Sequence, residues 1–207
     1  MDLSAPYRAV LSKGEGGVLS VLAGTNEPLT GREVARLASG AHSTVARILG
    51  RLVEHGVVRA EKAGASRLYT LNREHLIAEP LLALIRLRGR LLERLVGELE
   101  GWEPPARHAS LFGSAARGDG GTRSDIDIFV VRPIGIDEEH PTWRGQLDAL
   151  PSRIFDWTGN HASIAEVPEG DLPRLVRERP DVATEIRRDA VTLVGPRARE
   201  VLAEAGA

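Results

Sequence analysis

The chain has 207 residues, 42% of them hydrophobic, with 27 basic and 29 acidic side chains and a net charge of −2. That apolar content fills one large domain or two small ones at the usual size of roughly 100 to 150 residues, and two is the expectation. The absence of cysteine excludes a disulfide framework and a thiolate metal site; the start MDLSAPYRAVLSKGEGG lacks the basic and apolar parts of a signal peptide, and no run reaches the roughly 18 uncharged apolar residues of a membrane span, so a cytoplasmic protein without membrane contact is expected.

In chain order, residues 15–24 place Val18, Leu19, Val21 and Leu22 on one helical face. Thr30 precedes Glu33 by three residues, as in a capping box, and opens a short second helix ending at Gly40. Residues 41–55 put Val45, Ile48, Leu49 and Leu52 on one side and Ser43, Arg47 and Arg51 on the other, a two-faced third helix. Two short strands follow, Val57 to Glu61 and Arg67 to Leu71, joined by a turn over Lys62 to Ser66 with Gly64 as its punctuator. This order of elements resembles the winged helix-turn-helix of bacterial regulators of the arsenic-repressor and multiple-antibiotic-repressor type. The resemblance implies DNA contact by Ser43, Thr44, Arg47 and Arg51 on the third helix and by Lys62 and Arg67 on the wing. Residues 80–100 then read as one long helix from Pro80, whose apolar positions spread beyond a coiled-coil seam and are consistent with packing into a second domain and with a homodimer.

The charge splits along the chain. Residues 1–79 carry 10 basic against 8 acidic side chains, residues 80–100 carry 4 against 3, and residues 101–207 carry 13 against 18. An acidic second half is a poor general surface for nucleic acid, but clustered carboxylates are what a hard divalent cation requires.

The chemistry concentrates in residues 108–133. A short apolar strand, Ala109 to Phe112, turns through Gly113 and Ser114 into a helix near Ala115, a place where a phosphate can approach backbone N–H groups unobstructed. After a glycine-rich loop, Asp125 and Asp127 open the next strand two residues apart, so both carboxylates point to one face. Two acids so close repel unless a cation lies between them, and Mg²⁺ or Mn²⁺ is the natural one. The string GSAARGDGGTRSDID resembles the signature of the DNA polymerase β nucleotidyltransferase superfamily, and most of all its minimal nucleotidyltransferases.

The resemblance implies an α/β (α+β) fold with a mixed sheet, and transfer of a nucleoside monophosphate from a nucleoside triphosphate, ATP being expected, to a hydroxyl. Gly113, Ser114, Arg117 and Ser124 would then lie at the nucleotide, with Arg117 either reaching phosphates or bracing the loop through Asp119. Asp125 and Asp127 would hold the metal. The family's third carboxylate lies on an adjacent strand; Glu166, in NHASIAEVP, is the best match and would be both metal ligand and base, while Ser163 takes that position if the register slips by three. Trp143, Phe155 and Trp157 are read as core of a helix over 142–158, with Trp157 near the nucleotide end, and the lone histidines as structural. A helix (181–188) and a strand (190–194) close the domain. The expected organisation is a winged helix-turn-helix at 1–78, a connecting helix at 79–104 and a nucleotidyltransferase domain at 105–207. The acceptor is left open among a small molecule, a tRNA end and a protein side chain, the last because minimal nucleotidyltransferases often accompany a toxin partner. The alternative is a DNA-binding regulator whose second domain senses nucleotide without turnover.

Overall fold

Ser12 and Thr30 each start a helix by accepting a backbone N–H three residues on. Ser12 opens α1 (Lys13–Ala23). Thr30 closes β1 (Leu29–Thr30) and opens α2 (Gly31–Leu37) with the reciprocal bond from its own N–H to Glu33, the complete capping box. α3 (His42–Glu54) buries the expected stripe of Val45, Ile48, Leu49 and Leu52. β2 (Val58–Ala63) and β3 (Ser66–Leu71) pair antiparallel, and β1 joins them in the order β1-β3-β2. The turn is tighter than the sequence suggests: Gly64 takes φ +59°, and Lys62 and Arg67 are paired within the ladder.

The computed structural model describes residues 1–204, which divide into two compact units, one of residues 5–87 and one of Met1–Ser4 with the chain from Arg88 onward. The long helix expected over 80–100 is two helices, α4 (Ala78–Ile85) and α5 (Leu87–Glu100), separated at Arg86. The physical reason lies in what each buries. Leu81 belongs to the core of the first unit with Val18, Leu49 and Val58, whereas Leu91, Leu95 and Leu99 belong to that of the second.

The second unit is built on β4 (His108–Phe112), β5 (Ile126–Arg132), β6 (Ala162–Pro168) and β7 (Val191–Val194), in the order β6-β5-β4-β7. β5 and β6 run parallel and the other pairs antiparallel, which is the expected mixed sheet. α6 (Gly113–Arg117) follows β4, and α7 (Pro141–Thr158) makes the crossover to β6. α8 (Leu172–Glu178), α9 (Pro180–Asp189) and α10 (Ala198–Glu204) complete the unit. One face of the sheet, with Leu111, Ile126, Ile128 and Val130, packs on α5 and α7 through Leu95 and Trp143. The other, with Phe129 and Val131, packs on Leu172, Ile186 and Val201 of α8 to α10.

Trp143 is fully buried and meets Trp102 edge-on at 5.4 Å. Phe155 departs from its expected core position: it is 46% exposed and lies against the His161 ring at 5.2 Å. Trp157 packs at the core's margin, with the Arg94 guanidinium 5.7 Å from its ring. Among the described residues no helix is long and apolar enough to cross a membrane.

Candidate active site

The turn from β4 into α6 permits only glycine. Gly113 has φ +69°, and a Cβ there would lie 2.6 Å from Asp127 Oδ2. The ladder pairs Phe112 with Asp127, so the end of β4 and the start of β5 meet at one end of the sheet. Ser114 follows in the first turn of α6, and the loop folds back over it: a Cβ on Gly120 would be 3.3 Å from Ser114 Oγ. The first turn of α6 has no side-chain cap.

Asp125 is exposed and Asp127 half-buried, and by strand alternation both share a face with Phe129. Burial raises the Asp127 pKa above the ordinary carboxylate range; the charges of Asp125 and then Glu185 add to the rise, and Arg117 opposes it. The pair is therefore a site of uncompensated negative charge with hard oxygen donors, and it fits a divalent cation such as Mg²⁺ or Mn²⁺. Among the described residues no set of three acids, histidines or cysteines converges to complete such a site.

Glu166, expected as the third carboxylate, does not share the face of Asp125 and Asp127. The parallel register sets Ser163 opposite Asp127 and Glu166 opposite Val130. Three positions is an odd step, so Glu166 emerges on the other face of the sheet. There its Oε1 accepts from Arg132 Nε at 2.7 Å and Trp143 Nε1 at 2.9 Å.

Arg117 is engaged by acids. Its Nη1 donates to Glu185 Oε1 at 2.9 Å and Asp189 Oδ2 at 3.2 Å, and its Nε to Asp119 Oδ2 at 3.4 Å. Arg188 foremost, with Arg117, holds the Asp189 carboxyl down at about 2. Of the two roles open from sequence, this geometry supports the brace. Ser124 turns inward: its Oγ accepts from the Gly121 N–H at 3.0 Å. The same loop is held by Asn160, whose Nδ2 donates to Gly121 O at 3.3 Å and Ser124 O at 3.0 Å, and by the Leu3 N–H on Gly120 O at 2.9 Å. Sequence reasoning missed Asn160, Leu3, Glu185 and Asp189, all brought in by tertiary contacts and without a local motif.

In the first unit Ser43, Thr44, Arg47 and Arg51 are exposed on α3, and Lys62 and Arg67 on the hairpin. Arg51 differs from the rest in forming an ion pair with Glu15 of α1. An open cleft of 710 Å³ lies between α3 and the hairpin, and Arg32, His42, Ala46, Arg67 and Tyr69 contribute to its walls.

Comparison with known proteins matches residues 16–62 to the IclR helix-turn-helix domain and residues 93–165 to the nucleotidyltransferase domain. The first match is thus to a third class of helix-turn-helix beside the two the sequence resembles. Two solved structures align with part of the chain. One is described as a mutant of the toxin-antitoxin MntA-HpeT (14% identity, TM-score 0.39), the other as a toxin-antitoxin with AMP-PNP (16% identity, TM-score 0.39). Each alignment covers 55% of this chain and 82% of the solved one. No curated relative matches the chain.

Proposed function

We propose that this chain, which joins an IclR-type helix-turn-helix domain to a nucleotidyltransferase domain, transfers a nucleoside monophosphate from a nucleoside triphosphate, ATP first among them, to a hydroxyl acceptor. The observation that carries the reading is the Gly113 turn pressed against Asp127, which unites the glycine-serine turn and the acid pair at one end of the sheet. Asp125 and Asp127 would hold Mg²⁺ or Mn²⁺, which when bound would neutralise the triphosphate and fix its orientation. Gly113 leaves room for the phosphates, and the Ser114 hydroxyl and uncapped N–H groups of α6 donate to them. The acceptor oxygen bonds to the α-phosphorus, the bond to the bridging oxygen breaks, and pyrophosphate leaves. The acceptor's proton passes to water, since Glu166 stands on the opposite face. Arg117 and Ser124 keep the loop in shape.

The first unit would bind DNA, with Ser43, Thr44 and Arg47 in the major groove and Lys62 and Arg67 on the backbone. A homodimer and a toxin-like protein partner belong to the same proposal.

Ser163 across from Asp127 favours a second reading, in which the site binds nucleotide for regulation without turnover. Calorimetric titration of ATP with Mg²⁺ into the wild type and Asp127→Asn tests the site. Binding lost in the variant supports it, and no binding to either protein overturns it. Release of pyrophosphate on adding an acceptor then separates transfer from sensing.

A further inference from the structure

Four arginines converge on one open cleft of 420 Å³ in the second unit: Arg187 and Arg188 from the last turn of α9, Arg197 just before α10, and Arg199 in its first turn. Ala190, Thr192 and Ala198 complete the lining, which contains no acid and no aromatic ring. The cluster inverts its surroundings, because the chain from residue 101 onward carries 13 basic against 18 acidic side chains. Arg187 is fixed by donation from Nη2 to Leu202 O at 2.8 Å, and Arg188 by Asp189. The Arg197 and Arg199 guanidiniums make no ion pair or hydrogen bond among the described residues. Like charges gathered this way repel, and an anion offering several oxygens relieves them; planar guanidinium forks match phosphate in particular.

The cleft runs along β7, from Ala190 at the acid pair's end of the sheet toward the other end, where Arg197 follows the Pro196 that His108 holds at the start of β4. β7 is the edge strand next to β4, with Val191 opposite Leu111 and Thr192 opposite Ser110, so Ala190, just ahead of Val191, lies nearest the point where β4 ends and Gly113 begins. Asp189 accepts from Arg188 at 2.7 Å and from Arg117 at 3.2 Å, which leaves one shared carboxylate between the cleft wall and the helix bearing Ser114.

We propose that this cleft binds the phosphodiester backbone of a nucleic-acid single strand and presents that strand's terminal hydroxyl to the site of Asp125 and Asp127. The assignment of the strand as acceptor rests on the nucleotidyltransferase reading; the binding itself does not. Several guanidiniums along one open cleft suit the phosphates of a backbone, and the absence of aromatic rings from its lining suits a backbone held without its bases. An acidic peptide would meet the same charge but no apolar pocket for its side chains.

The test is fluorescence anisotropy with the full chain, using a short labelled RNA and the DNA strand of the same sequence, without nucleoside triphosphate. In the expected result at least one strand binds, and Arg197→Glu with Arg199→Glu weakens it about tenfold or more. The salt slope then becomes shallower by about 1.4, since each lost phosphate contact removes about 0.7 on a single strand. Arg197→Lys with Arg199→Lys largely restores binding, and an unchanged melting midpoint in the Glu variant shows that the fold is intact. Arg47→Glu with Arg67→Glu leaves this component in place, which separates it from the first unit. Tighter binding of RNA than of DNA, or the reverse, identifies the source of the strand. Equal binding by wild type and the Arg197/Arg199 Glu variant, binding of neither strand, or displacement by a poly-glutamate peptide as effective as by unlabelled strand overturns the proposal. Asp127→Asn keeps strand binding while losing ATP; if it keeps both, the transferase reading fails and the cleft stands.

Discussion

Glu166 Oε1 serves two donors at once, Arg132 Nε and Trp143 Nε1, and Arg132 is only 8% exposed. Removing that acid strands a buried guanidinium, a loss of several kcal/mol where the partner charge stays in place. Glu166→Ala is therefore expected to lower the unfolding free energy of the second unit by about 3 kcal/mol, while the folded variant binds ATP with Mg²⁺ as the wild type does. Denaturant unfolding and calorimetry read the two quantities separately. Lost ATP affinity at unchanged stability would return Glu166 to the site. The contrast with Gly113, Asp125 and Asp127 explains what was legible in the sequence. Their reasons lie within fifteen residues: a turn that admits only glycine, and two acids at strand spacing. Glu166 depends on the register of a parallel pair formed across the whole of α7, and a difference of three positions moves an acid to the other side of the sheet.

At the scale of elements, β4 is tied to the turn before α10 by His108, which is fully buried and holds Pro196 O at 2.8 Å and Ser110 Oγ at 2.9 Å through its two ring nitrogens. Burial lowers its pKa, an effect that the bond to Pro196 opposes and the charge of Arg107 reinforces. The unfolded chain then takes up a proton that the folded chain refuses. Its contribution to stability is complete above the unfolded value of about 6.5 and is lost as pH falls through it toward the lower folded value. One proton sets the slope at no more than about 1.4 kcal/mol per pH unit. His108→Gln is expected to be less stable near neutrality and to lack this acid-side loss, so its unfolding curves converge on the wild type's as pH falls. Parallel pH profiles would remove His108 as the cause. Legibility at this scale followed the signals an element carries in its own residues: α2 is as short as α8 and α10, seven residues each, but announces itself by its cap. The capping box and amphipathic stripe of α2 and α3 are written in their own residues, whereas α8 and α10 have too few turns to show a period and hold their places through Leu172, Val201 and Leu202 in a core completed by the sheet. The break at Arg86 was hidden because apolar residues continue through it, and only their division between two cores ends α4.

For the whole molecule, the change of charge along the sequence already separated a mildly basic front from an acidic back, and the structure divides there into two units. Composition could not show that Met1–Ser4 cross to the unit formed from Arg88 onward. Leu3 is 2% exposed in the core with Leu91, Leu95 and Trp143, and its N–H holds Gly120 O in the loop between Ser114 and Asp125. A residue more than a hundred positions away thus helps to fix the loop of the candidate site, by burial and by one backbone bond. Leu3→Ala leaves that bond available and empties the core position, at a cost of about 2 to 3 kcal/mol for a buried leucine. Each unit has its own core, so scanning calorimetry of the full chain should resolve the loss as a lower midpoint for the second unit's transition, with the first unit's transition unmoved. A fall confined to the first unit's transition, or none at all, would show that Leu3 does not hold this place in solution. The pairing of an early residue with a late core also predicts the behaviour of fragments: a chain beginning at Arg88 lacks Leu3 and should melt at the lowered midpoint of Leu3→Ala or below it.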